Sequence, residues 1–269
     1  MARTFDGVDD QIAFGSETAI DDISTYSACA LVRITAAITS ERQILAKMTA
    51  GYIGNMFFAT IGSGGNNNKI FTYRAATGSD PYSESVADVL AVDTWKAIVV
   101  TFDSANQGSS PLIYACTVGG AIAEVSYAAN GLWSGTLESD AGATLRVGAR
   151  DAADNFFQGG LAECAIWNRV LTAGEIGALG RGFSPLFFPV GRVFYTPVDG
   201  RNSPEHNLAG TTHGTLTGTT YLEHPPVIYP SMNTWGVQGT AAAPSTGQPY
   251  RKRLAGVPWM TPTRFSGVW

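Results

Sequence analysis

Short apolar runs recur through the first three-quarters of the chain, at residues 12–14, 27–35, 43–47, 55–61, 69–74, 95–102, 112–118, 121–127, 144–149 and 160–167. Clusters of Gly, Ser, Asn and Asp separate them, most clearly at 62–68 and 104–110. Short runs at about ten-residue spacing with turn signals between them predict the strands of a sandwich or barrel rather than βαβ units. Val118-Gly-Gly-Ala121 predicts a tight hairpin. A single helix is predicted. Thr172-Ala-Gly-Glu175 has the spacing at which a hydroxyl and a carboxylate satisfy each other's backbone N–H groups. Ile176 and Leu179 supply its apolar stripe, and Gly180 is read as its stop.

A Phe- and Pro-rich connector at 182–189 leads to one more strand-like piece at 193–198, a turn-like stretch at 210–218 and a Pro-rich segment at 223–227. From Pro230 onward there is no periodicity. The expected organisation is therefore an all-β body over 1–229 and an extended C-terminal arm over 230–269.

Composition supports a packed body. With 45% hydrophobic and only 14% charged residues, the chain has the apolar material for a core and too little charge for disorder. Charge is unevenly placed. Of 17 basic residues, Arg251, Lys252, Arg253 and Arg264 lie beyond Glu223, where no acid follows, so the other 13 face all 22 acids. The body is thus near −9 and the tail near +4, too few charges without a fold motif to imply nucleic acid. Cys29, Cys116 and Cys164 are odd in number and lie in strand-like runs. Buried reduced thiols are expected, rather than disulfides or zinc. The N-terminus has no apolar signal region and no apolar span reaches 18 residues, so neither cleaved-signal export nor membrane insertion is expected.

Several phrases resemble one family. Phe5-Asp-Gly-Val-Asp-Asp-Gln-Ile12 is similar to the opening of laminin-G-like, concanavalin A-like domains, and Tyr26 to Arg33 and Ile44-Leu-Ala-Lys47 to the strands that follow. Asp93-Thr-Trp95 through Val99-Val-Thr-Phe-Asp103 resembles the family's central pair. The most specific stretch is Gly160 to Ile176, with Glu163, Trp167-Asn-Arg169 and the capped helix. The resemblance covers 5–182 and implies a jelly-roll sandwich with one short helix. A segment resembling Tyr195-Thr-Pro-Val-Asp-Gly200 precedes the Phe-Asp-Gly phrase in many relatives. Here it follows the helix, which implies a circular permutation. The overall layout also resembles virion proteins of tailed phages.

Catalytic residues are not expected. Glucanases of this superfamily set three acids on one strand, and the nearest counterpart, Glu138-Ser-Asp140, lacks the third and reads as a polar loop. His206, His213 and His224 match no zinc spacing. No cofactor is expected. Relatives sometimes hold calcium at a rim, for which Asp6, Asp9 and Asp10 are the candidates, although Asp6-Gly7 also reads as a plain turn. Loop aromatics able to stack on sugars are Tyr52, Tyr82 and Trp133, with Phe156-Phe157 beside them. Trp133 and Trp167 also suit a core.

The arm holds Trp235, Tyr250, Trp259, Phe265 and Trp269 beside Arg251, Lys252, Arg253 and Arg264. Rings and arginines together anchor interfaces. The leading expectation is a non-enzymatic virion protein, made in the host cytoplasm. It would be a homo-oligomeric decoration, cement or fibre-like component joined to other virion proteins through these residues. The alternative is a carbohydrate-binding module for host-surface glycans.

Overall fold

The alternating runs form two antiparallel sheets in the computed structural model, which describes residues 1–49, 51–61, 68–106, 108–150 and 154–230. In chain order the strands are β1 Ala2–Asp6, β2 Gln11–Ala13, β3 Tyr26–Ile34, β4 Arg42–Met48, β5 Gly54–Ile61, β6 Lys69–Arg74, β7 Tyr82–Ser85 and β8 Lys96–Phe102. They continue as β9 Leu112–Thr117, β10 Ala123–Glu124, β11 Tyr127–Gly131, β12 Leu145–Val147, β13 Gln158–Trp167, β14 Arg192–Thr196, β15 Thr215–Thr217 and β16 Thr220–Leu222. Helix α1, Ala173–Gly180, lies between β13 and β14. The first sheet runs β10-β9-β8-β3-β13-β1-β16, with β14 also paired to β13. The second runs β11-β7-β6-β5-β4-β12-β2-β15. This is the jelly-roll sandwich.

Period-two alternation decides what fills the space between the sheets. Ala28, Ala30, Val32 and Ile34 of β3 and Ile98, Val100 and Phe102 of β8 belong to one apolar cluster with Ile44, Leu45, Phe57, Phe58, Ile70 and Leu145 of the second sheet. Each such large side chain contributes roughly 1.5–3 kcal/mol on burial. The opposite face of the first sheet is covered too. Cys29, Val99, Ala165, Trp167 and Tyr195 pack with Leu171, Ile176 and Leu179 of the helical segment. That double coverage explains why β3 reads as a continuous apolar run instead of an alternating one.

The capping box forms as its spacing predicts, Thr172 Oγ1 accepting from the Glu175 N–H and Glu175 accepting from the Thr172 N–H. Arg169 clamps the same carboxylate with two bonds of 2.6 and 2.8 Å, holding the Glu175 carboxyl down to about 2. Gly180 is not the stop. It is the last helical residue, where a Cβ would lie 2.6 Å from Ile122. The left-handed residue is Gly182, at φ +87°, whose N–H donates to Leu179 O while the Phe183 N–H donates to Ala178 O. Sequence spacing alone cannot separate a glycine needed for close packing from one needed for its φ.

β1 pairs with β13 at 158–161 and β14 pairs with it at 164–167. The two strands therefore share one lane of the sheet end to end, the arrangement relevant to the implied permutation. Glu163 sits at the break, in a register shift of β13 and at φ +55°. Residues read as turns at 210–218 contain β15, which pairs with β2. Among the described residues the three cysteines are free, Cys29 and Cys164 buried and Cys116 half-buried, and no helix is long and apolar enough to cross a membrane. The arm residues Trp235, Tyr250, Arg251, Lys252, Arg253, Trp259, Arg264, Phe265 and Trp269 lie outside the described residues.

Candidate functional site

On the second sheet, β6 and β7 alternate between buried and half-buried positions. Ile70, Thr72, Arg74, Ser83 and Ser85 turn inward, which leaves Phe71, Tyr73, Tyr82 and Glu84 on the outer face. Register then brings the rings together, because Tyr73 lies opposite Tyr82 and Tyr82 opposite Gly131 of β11. The Phe71 and Tyr73 rings stack 6.5 Å apart at 20°, and Phe71 stands 5.9 Å from Tyr82 at 38°. They form one aromatic platform.

The platform floors an open depression of about 580 Å³ lined by Phe71, Tyr73, Ser79, Asp80, Tyr82, Gly131 and Leu132. Gly131 is required there, since a Cβ would come within 2.4 Å of the Tyr82 ring. The ring fits beside Gly131 only because that position is bare. The rim is the loop between β6 and β7, pinned by bridges from Ala76 to Leu137 and from Ser79 to Ser134. Asp80 Oδ1 accepts from the Ala76 N–H at 2.7 Å, and its carboxylate lies near the Tyr73 hydroxyl. Burial first, then the charge of Asp80 and its hydrogen-bonding pull, push the Tyr73 phenol well above its ordinary range, so its proton stays in place. Three rings with a carboxylate at their edge can stack on an apolar ring face and accept hydrogen bonds from its hydroxyls.

Of the expected stacking residues, Tyr82 alone lines this depression. Tyr52 is exposed in a left-handed conformation, φ +61°, under the Arg150 guanidinium, 4.0 Å from its ring centroid. Trp133 is in the core instead. It is 7% exposed, edge-on to Phe102, with Nε1 donating to Asn106 O, so its ring face is not offered to a ligand. Phe157 is buried edge-on against Phe5. Phe71 and Tyr73 were read only as strand. Their two-residue spacing puts them on one face, but nothing local says whether that face is covered.

The acids have other partners. Asp140 is fully buried and pairs with Arg74 at 2.9 Å and Lys47 at 3.6 Å, while its Oδ1 accepts from the Asp22 N–H. The segment expected as a polar loop therefore carries an interior ion cluster. Asp6, Asp9 and Asp10 bring their oxygens within 4.8 Å of one another. The expected turn is formed as well, Asp6 Oδ1 accepting from Val8 and Asp9 and Asp10 Oδ2 from the Asp6 N–H. Burial, with Asp6 and Asp9 close by, raises the Asp10 carboxyl. The His206 and His213 rings lie 4.7 Å apart, tilted by 34°.

A second polar centre is sealed. Glu163, 2% exposed, accepts from Ser184 at 2.9 Å, Tyr195 at 3.0 Å and Tyr229 at 2.8 Å, with His224 Nε2 3.7 Å away. Burial pushes its carboxyl up to about 7 against the pull of those three hydroxyls.

Residues 6–177, more than half of the chain, match the profile described as the concanavalin A-like lectin/glucanases superfamily. No curated protein matches the sequence. A Bacteroides ovatus protein provisionally described as carbohydrate binding is similar in structure, with a TM-score of 0.54 at 15% identity; the match covers 85% of this chain and 62% of that one. The chain thus spans less than two thirds of that protein's length. The CBM40 module of a Ruminococcus gnavus sialidase, bound to α2,3-sialyllactose, gives a TM-score of 0.45 at 11% identity over 67% of this chain and 98% of its own. Tailspike protein 2 of the Escherichia coli O157:H7 bacteriophage CAB120 gives 0.41 at 9% identity over 74% of this chain and 30% of its own. At these identities the likeness is one of fold.

Proposed function

The chain belongs to the concanavalin A-like lectin/glucanases superfamily, and from that premise we propose that it is a non-catalytic carbohydrate-binding module whose ligand lies on the Phe71–Tyr73–Tyr82 platform. The observation that carries the reading is the platform itself. Three large rings are held half-open on a sheet face by cross-strand register and by a glycine that makes room for one of them. A cluster of this kind has little reason to stay partly wet in a monomer unless something covers it. A saccharide suits it because the C–H face of a pyranose is apolar, while its hydroxyls find an acceptor in Asp80 and a small polar neighbour in Ser79. The module reads as non-enzymatic because Asp140 and Glu163 are committed to buried structural partners. Virion anchoring, the leading sequence expectation, concerns arm residues outside the described ones.

The test is a glycan array followed by calorimetric titration of the hits, with Tyr82→Ala and Tyr73→Phe beside the wild type. Tyr82→Ala is expected to weaken binding at least tenfold, about 1.4 kcal/mol. Tyr73→Phe keeps the ring and is expected to weaken it less. Glycan binding that survives Tyr82→Ala at wild-type strength would place the ligand elsewhere.

A further inference from the structure

Resting on the carbohydrate reading above, we infer that the depression is charge-selective, taking neutral and amino sugars and turning away glycans that carry a carboxylate. None of the seven described residues lining it is basic, and one, Asp80, is acidic. Acidic charge outweighs basic charge around it. Glu138 adds to Asp80 in raising the Tyr73 phenol, and Arg74 lowers it by less. Glu84, cross-strand from Phe71, is bonded by Lys69 Nζ at 2.6 Å, which engages the nearby lysine. Arg74, the neighbour of Tyr73 in sequence, turns to the other face of β6 and is spent on Asp140. A carboxylate ligand therefore meets negative charge with no guanidinium or ammonium among the described lining residues to receive it.

A neutral sugar uses the same Asp80 oxygens as acceptors, since an ionised carboxylate has about four lone-pair sites and the Ala76 N–H takes one. Between two like charges a few ångströms apart at a half-exposed surface, repulsion of this size changes affinity by about tenfold at low salt and fades as salt screens it.

The experiment titrates the full chain with tetrasaccharides of gluco, galacto and manno configuration, each as the neutral sugar and as its C6-carboxylate counterpart, at low and at moderate salt. The expected result is that the neutral member of a bound pair wins by about tenfold at low salt and by less at moderate salt. Asp80→Asn, which keeps the acceptor for Ala76, is expected to shrink that ratio to about threefold or less. Glu138→Gln, which leaves the rim loop untouched, is expected to shrink it in part, and Tyr82→Ala to remove binding of both members. A carboxylated sugar bound as well as its neutral partner, through a surface that Tyr82→Ala destroys, would overturn the charge selection and leave the carbohydrate reading standing. No binding of any tetrasaccharide in any configuration would overturn both.

Discussion

Two places in this molecule put tyrosines beside a carboxylate, with opposite consequences. At the platform, Tyr73 lies beside Asp80 and the group opens onto a depression of about 580 Å³. At the β13 break, Tyr195 and Tyr229 bond Glu163 together with Ser184. There every hydroxyl is spent on the one carboxylate, which is 2% exposed. The same chemical pair is a candidate binding surface in the first place and a tie between segments in the second, joining β13 to the connector, to β14 and to the chain near 229. Residue type does not separate the two. What separates them is whether the carboxylate keeps lone pairs facing solvent.

The sealed class should respond to mutation through stability and the open class through binding. Asp140, once the nearest thing to a catalytic acid, belongs with the sealed class. Asp140→Ala leaves Arg74 buried without its counter-charge, while Lys47 keeps Asp21 at 2.6 Å, and a loss of about 3 kcal/mol is expected by urea denaturation. A variant of near wild-type stability would remove Asp140 from that class.

The next effect in size is a pH dependence. The Glu163 carboxyl is raised to about 7 in the folded chain against 4.5 when free, so the folded state holds this proton more tightly. Its contribution is therefore fully present below pH 4.5 and is lost as pH rises through about 7, amounting to roughly 3 kcal/mol across that window. His224, which burial holds below its usual range, works the other way. The quantity to read is thus the wild-type minus Glu163→Gln difference in unfolding free energy between pH 4 and 8. A flat difference would show that the carboxylate is not penalised by burial. Glycan affinity of Glu163→Gln at neutral pH should match the wild type, which sharpens the contrast between the two places.

A smaller effect is expected at Gly131. Its Cβ in Gly131→Ala would displace the Tyr82 ring, so glycan affinity should fall several-fold while the melting temperature moves by only a few degrees. Unchanged affinity would mean that the exact seat of that ring does not matter.

Local chemistry is what made much of the fold legible. The strands β4, β5, β6, β8 and β13 were readable because alternation and β-branched content are properties of a few adjacent residues, and α1 because its capping box lies within four positions. β7 was missed, since Tyr82-Ser-Glu-Ser85 is short and polar apart from its ring, β15 because its Thr- and Gly-rich sequence reads as turn, and β16 because three residues carry no period. At the site, Tyr82 was legible as an aromatic beside a loop. Trp133, in an equivalent setting, went to the core.

By itself, then, the sequence determined that this chain would alternate in and out of a β-sandwich, carry one capped helix and belong to a particular superfamily, because those features are written in neighbouring residues. Only the tertiary structure decided which face of each strand would be covered. Phe71 and Tyr73 stand at the same period as the core residues Ile70 and Thr72, and it is the packing of the first sheet against one side of the second that buries one set and leaves the other half-open. Glu163 and Asp80 differ for the same reason: solvent access depends on residues far away in the chain that fold over one and not the other.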